Sequence, residues 1–180
     1  MTGRILFVCT GNVCRSPFLA HALAARLPRG AALFSSAGTH ALVGHPASDR
    51  IVAQLRRRGI DARGHRSRQL NEDDLDRAQL ILTADRGQRQ LLALRRPAAA
   101  DRIFTARQLV RLLESAPPGV SGDLDDVLTR ARGARGRAGA STQDDDIPDP
   151  WRRSRRVYAE AVAVMDEVVD RLADHLVPTG

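Results

Sequence analysis

The run Arg4–Val8 (RILFV) is almost wholly apolar and breaks off at Cys9-Thr10-Gly11-Asn12-Val13-Cys14-Arg15-Ser16-Pro17. This junction restricts the possible folds more than any other part of the chain. A short, unalternating run of β-branched and large apolar side chains reads as a strand buried on both faces. Such a strand needs a parallel sheet with helices on either side. A helix follows it directly, with Ser16 as the expected N-cap and Pro17 as the first helical residue. Phe18, Leu19, Ala22, Leu23 and Leu27 recur at helical spacing, and Pro28 and Gly30 end the pattern.

The same strand–helix alternation continues. Ala31–Ser36, Gln79–Thr83 and Arg102–Phe104 read as strands, and helices are expected over 48–58, 86–94, 106–114 and 123–132. A final helix over 157–176 carries Val157, Ala161, Val164, Val168, Leu172 and Leu176 as its apolar stripe. The expected class is α/β: one domain over residues 1–180, a three-layer sandwich of parallel strands with helices on both faces and an N-terminal phosphate-binding loop. Pro117-Pro118-Gly119 interrupts the pattern, and Gly133–Asp146 has almost no apolar residue, so about 117–146 reads as a mobile surface insertion.

Composition limits the partners. All 28 basic residues are Arg, and the net charge is +7. That charge suits nucleic acid or an anionic surface, but the arginines are scattered and lack interleaved aromatics, so nucleic-acid binding is not expected. No run approaches the roughly 20 apolar residues of a membrane span. Only two cysteines occur, Cys9 and Cys14, and no secretory signal precedes them; the expected location is the cytoplasm, where thiols stay reduced. No cluster of His, Cys and carboxylates has metal-ligand spacing, so neither metal nor cofactor is expected.

The chemistry lies in the loop after the first strand. A loop entering a helix N-terminus can turn successive backbone N–H groups inward as a nest for an anion. Gly11 supplies backbone freedom, and Asn12 tolerates a left-handed conformation. Arg15 can fold back and grip two phosphate oxygens with its planar fork. Cys9 then lies beneath the anion, where the potential that holds phosphate also stabilises a thiolate. A buried structural thiol at a strand end is the alternative for Cys9.

The segment VCTGNVCRSP resembles the N-terminal signature of the low-molecular-weight protein tyrosine phosphatases, and three further stretches extend the resemblance along the chain: SSAGT (Ser35–Thr39), GHRSRQL (Gly64–Leu70) and IPDPW (Ile147–Trp151). The resemblance implies a four-stranded parallel sheet and hydrolysis of phosphotyrosine-bearing proteins. It implies Cys9 as nucleophile, Arg15 as phosphate clamp, and Asp149 as the acid that protonates the leaving oxygen and later deprotonates water. Thr10, Gly11, Asn12, Val13, Cys14 and Ser16 would line the phosphate site. Ser16 would hydrogen-bond the Cys9 thiolate, Asn12 would hold the loop through Ser36, and Cys14 would form a reversible disulfide with Cys9. His65 and Asp85 occupy positions of supporting polar residues. Trp151 has two readings, a platform for an aryl ring and an anchor for the last helix.

The resemblance leaves rivals. Arsenate reduction on the same fold, with an external small thiol, fits a chain whose cysteines are confined to the loop. Protein-arginine phosphatases resemble this loop but carry Thr at the position of Val13, and an apolar Val suits an aryl ring better. A phosphate-binding or basic interaction module without catalysis is the remaining alternative. Neither the physiological target nor the oligomeric state is legible in the sequence.

Overall fold

The apolar run that ends at Cys9 is an inner strand of a four-stranded sheet. The computed structural model describes residues 3–136 and 142–176. Strands β1 (Gly3–Cys9), β2 (Ala32–Gly38), β3 (Leu80–Thr83) and β4 (Ile103–Thr105) stand in the order β2-β1-β3-β4, and every pairing is parallel. The helices are α1 (Arg15–Arg26), α2 (Asp49–Arg57), α3 (Glu72–Arg77), α4 (Arg86–Arg95), α5 (Ala106–Ser115), α6 (Leu124–Ala134) and α7 (Arg155–Leu176). The period of two along β1 divides its side chains between two cores: Ile5 and Phe7 join the larger one with α1, α2, α5, α6 and α7, while Leu6 and Val8 join the smaller one with α3 and α4. The expected three-layer sandwich is therefore the fold.

The order places the functional end of the sheet. From β1 the chain crosses to β2 on one side, and β3 lies on the other, so the C-terminal end of β1 is a topological switch point where a crevice opens. The loop carrying Cys9 to Arg15 emerges there.

Four local expectations need correction. First, α1 begins at Arg15 with Cys14 in the cap position, and no side chain caps it; Ser16 is not the cap, because its hydroxyl turns toward Cys9 instead. Second, α3 is an extra helix. Asn71 Oδ1 accepts from the Asp74 N–H at 2.9 Å, and Asp74 Oδ2 accepts from the Asn71 N–H at 3.1 Å, a reciprocal cap that starts a helix with a single buried apolar residue, Leu75.

Third, the buried stripe of α7 is rotated from the expected one: Tyr158, Val162, Met165 and Val169 join Ala161, Val168, Leu172 and Leu176, whereas Val157 and Val164 are only half-buried. Fourth, much of 117–146 is structured. Gly133 and Ala134 complete α6, and Gln143–Asp145 form a 3-10 turn; residues 137–141 lie outside the described residues. Asp145 is buried, and both its oxygens receive the Arg111 guanidinium at 3.0–3.1 Å. Asp146 accepts from the Arg86 N–H at 2.8 Å, and the Ile147 N–H donates to the Ala84 carbonyl at 2.8 Å. The run from Asp145 to Ile147 is thus fastened by ion pairs and main-chain bonds to α5, to the start of α4 and to the residue after β3, which fixes where residue 149 stands.

Candidate active site

The loop after β1 has its carbonyls turned outward. The Thr39, His40, Leu42 and Ser48 N–H groups donate to the carbonyls of Cys9, Thr10, Gly11 and Val13 at 2.9–3.1 Å. The Asn12 carbonyl accepts from Ser67 Oγ at 2.7 Å and His65 Nε2 at 2.8 Å, and the Cys14 carbonyl accepts from the Phe18 N–H at 3.1 Å. Six consecutive carbonyls are thus bonded to the protein, while no N–H from Gly11 to Ser16 donates to a protein acceptor among the described residues. Buried amides ordinarily have partners. A loop with unpartnered N–H groups at a helix start has the makings of an anion site.

Asn12 makes this turn possible. Its φ is +55°, in the left-handed region that Asn tolerates, and the residue is wholly buried. Its side chain donates to Ser16 Oγ and Ser36 Oγ, both at 2.9 Å, and accepts from the Arg68 N–H at 3.0 Å. Ser36 therefore stands where it was expected. His65 supports the loop from outside; burial pushes its pKa below the ordinary imidazole value, so at neutral pH a neutral ring donates through Nε2–H.

Cys9 lies at the foot of the hollow, with its Sγ 3.0 Å from Ser16 Oγ. Arg15 is 4% exposed and is gripped on two sides. Its Nη1 lies 3.2 Å from Asp85 Oδ2 and 3.2 Å from the Ile147 carbonyl, and its Nη2 lies 3.2 Å from Asp149 Oδ2. Asp85 is therefore in contact with the guanidinium, and it also caps α4. Asp149 is exposed, and its Oδ1 accepts from the Trp151 N–H at 3.1 Å. A cleft of about 160 Å³ brings Cys9, Arg15 and Asp149 together beneath a rim of Val13, Leu42 and Trp151. Trp151 belongs to this rim and not to the core beneath α7.

Gln88 was missed by sequence reasoning. Its Nε2 donates to Thr10 Oγ1 at 3.1 Å while its Oε1 accepts from the Ala84 and Asp85 N–H groups, which couples the loop to the start of α4. The signal was available as Asp85-x-x-Gln88, a capping-box spacing.

Cys14 lines the cleft beside Cys9, and its Sγ–H donates to Ser48 Oγ at 3.4 Å. Burial raises its pKa to about 11, with the nearby Cys9 and Asp149 charges adding to the effect. The Tyr158 phenol is likewise pushed up by burial. Between pH 9 and 11 the unfolded chain loses the Cys14 proton while the folded chain keeps it, so stability falls as pH rises through that window. About two pKa units correspond to roughly 3 kcal/mol. Thermal unfolding followed from pH 8 to 11 should therefore show a falling Tm, and Cys14→Ala should flatten the slope; parallel curves for the two proteins would contradict this assignment.

The comparisons with known proteins agree with the geometry. The profile of the low molecular weight phosphotyrosine protein phosphatase family matches residues 4–120. The chain is 34% identical over 176 residues to the protein-arginine-phosphatase of Geobacillus stearothermophilus, covering 98% of this chain and 97% of that one. It is 30% identical to the probable low molecular weight protein-tyrosine-phosphatase EpsP of Ralstonia nicotianae, covering 94% and 93%. Among solved structures, the YwlE arginine phosphatase from Geobacillus stearothermophilus gives a TM-score of 0.71 over 97% of this chain and 92% of that one, at 34% identity. The low molecular weight protein tyrosine phosphatase from T. tengcongensis gives 0.71 over 96% and 99%, at 29% identity. Matches of this extent establish kinship: the chain belongs to the low-molecular-weight phosphotyrosine protein phosphatase family.

Proposed function

We propose that this phosphatase hydrolyses phosphotyrosine in proteins through a phosphocysteine formed on Cys9. The observation that carries the reading is a loop whose six carbonyls are all bonded to the protein while its N–H groups from Gly11 to Ser16 find no protein acceptor among the described residues, with a cysteine at its start. In the first half-reaction the Cys9 thiolate attacks phosphorus, forming the S–P bond. The bond to the phenolic oxygen breaks, and the Asp149 carboxyl gives that oxygen its proton. In the second, a water attacks phosphorus, Asp149 takes the water's proton, and the S–P bond breaks to return the thiolate. Ser16 Oγ, 3.0 Å away, hydrogen-bonds that thiolate. Arg15 and the loop amides hold the equatorial oxygens throughout.

The apolar rim of Val13, Leu42 and Trp151 favours an aryl ring over a guanidinium, for which Val13 offers no hydrogen bond. Phosphoarginine is the competing substrate because the relative at 34% identity bears that activity in its name. Initial rates on matched phosphotyrosine and phosphoarginine peptides, without added metal, decide between them: the proposal requires the tyrosine peptide to be turned over faster, and the reverse order would overturn it. The free thiols suit the cytoplasm. No helix among the described residues is long and apolar enough to cross a membrane.

The acid role of Asp149 has its own signature. Asp149→Asn should lower kcat roughly 10²-fold on phenyl phosphate and less on p-nitrophenyl phosphate, whose leaving group departs readily without a proton. Equal losses on the two esters would remove Asp149 from the leaving-group step.

A further inference from the structure

Beside the catalytic cleft lies a second, wider groove of about 430 Å³ that shares Cys14 and Trp151 with it. Arg50, Arg152 and Arg153 line this groove, against one carboxylate, Asp49. Asp49 is the first residue of α2, where its charge already complements the positive end of that helix. None of the three guanidiniums makes an ion pair among the described residues, although arginines elsewhere on the surface do so readily, as in Arg58–Asp166, Arg63–Asp61 and Arg96–Asp76.

Two of the three are nevertheless held in place. Arg50 lies over the Tyr158 ring at 5.3 Å, and Arg152 lies over the Trp151 ring at 5.5 Å. Arg152 also has a φ of +55°, a conformation that costs a non-glycine residue energy and that here turns the chain just past the rim of the cleft. The next two arginines, Arg155 and Arg156, open α7, whose first turn contains no acid. Cations at that end of a helix are unfavourable by themselves. Other arginines that might have formed a broad basic face are engaged internally: Arg132 pairs with Asp101, and Arg135 stacks on Phe104 and donates to the Ala100 and Ile103 carbonyls. Arg50, Arg152 and Arg153 thus put positive charge without an ion-pair partner among the described residues beside the catalytic cleft.

We propose that this groove is a specificity subsite that receives acidic side chains flanking the phosphorylated residue of the protein substrate. The proposal rests on the phosphatase reading above. A peptide whose phosphoryl group sits over Cys9 must pass its neighbouring residues across Trp151, and an Asp or Glu there meets guanidiniums already oriented by aromatic rings. Arginine forks suit carboxylates in this role. Attraction at such a rim is screened by salt.

The test compares kcat/KM for p-nitrophenyl phosphate and for two phosphotyrosine peptides, identical except that one has Glu and the other Gln at the flanking positions. The wild type should prefer the Glu peptide by about tenfold at low salt, with the preference shrinking at high salt. The exposed double variant Arg50→Gln, Arg153→Gln should lose the preference and keep its rate on p-nitrophenyl phosphate. Equal rates for the two wild-type peptides, or an undiminished preference in the variant, would overturn the subsite alone. Failure of the wild type to hydrolyse p-nitrophenyl phosphate would overturn the phosphatase reading, and the subsite with it.

Discussion

Cys9→Ser is expected to lower kcat on p-nitrophenyl phosphate by roughly four orders of magnitude or more while leaving the fold and phosphate binding intact. The size of the loss follows from the surroundings of Cys9. Among the described residues its Sγ has one side-chain hydrogen-bond partner, Ser16 Oγ, and no histidine or carboxylate is bonded to it to take a proton. A nucleophile in this position must therefore ionise without a base. A thiol is intrinsically far more acidic than a hydroxyl, so sulfur can serve here where a serine oxygen cannot. The substitution should be structurally mild, because the replaced atom is 3.0 Å from a hydroxyl that bonds equally well to oxygen. Inorganic phosphate should still protect the variant against thermal unfolding. A variant that kept more than about a hundredth of the wild-type rate would show that Cys9 is not the attacking group.

Arg15→Lys should be almost as damaging, lowering kcat/KM roughly 10³-fold. The guanidinium reaches partners on two sides at once, Asp85 and the Ile147 carbonyl through Nη1 and Asp149 through Nη2. A phosphate over Cys9 would meet the same planar fork. A lysine ammonium is a single point and cannot span both sides or hold two equatorial oxygens together. Positive charge is conserved in this substitution, so a purely electrostatic role for Arg15 would leave the rate within about tenfold. That result would contradict the clamp. The free protein already offers Asp149 to the nitrogen that substrate oxygens would use, so phosphate and the Asp149 carboxylate compete for Arg15.

The parts of this architecture that were legible in the sequence are those governed by local patterning. The unalternating run before Cys9 announced a doubly covered strand, and the residues after it announced a turn into a helix at its end. Ser36, at a strand end, and His65, in a loop far along the chain, both reach the buried Asn12, and the His65 contact with its carbonyl was not legible in the sequence.

What sequence could not supply was long-range pairing. Asp144, Asp145 and Asp146 form a polar run typical of a mobile loop, yet Asp145 is buried against Arg111 and Asp146 is bound to Arg86, partners 34 and 60 residues away. Nothing in the local pattern reveals such partners. The rotation of the α7 stripe has a similar origin: valines and alanines occupy several faces of that helix, so only packing against α1 and α5 selects Tyr158, Val162 and Met165 over Val157 and Val164. Gln88 is different, since its capping spacing was visible and only its second bond, to Thr10, depends on the tertiary fold.

The central claim is that phosphoryl groups pass through Cys9, and acid-quenching the Asp149→Asn variant during turnover tests it most directly. With p-nitrophenyl phosphate, whose leaving group departs without the Asp149 proton, attack of water is the slowed step and the intermediate should accumulate; peptide mass spectrometry should then find one phosphoryl group on the peptide containing Cys9, absent from a Cys9→Ser control. Active turnover with no phosphorylated peptide, or with the group on another residue, would contradict the account.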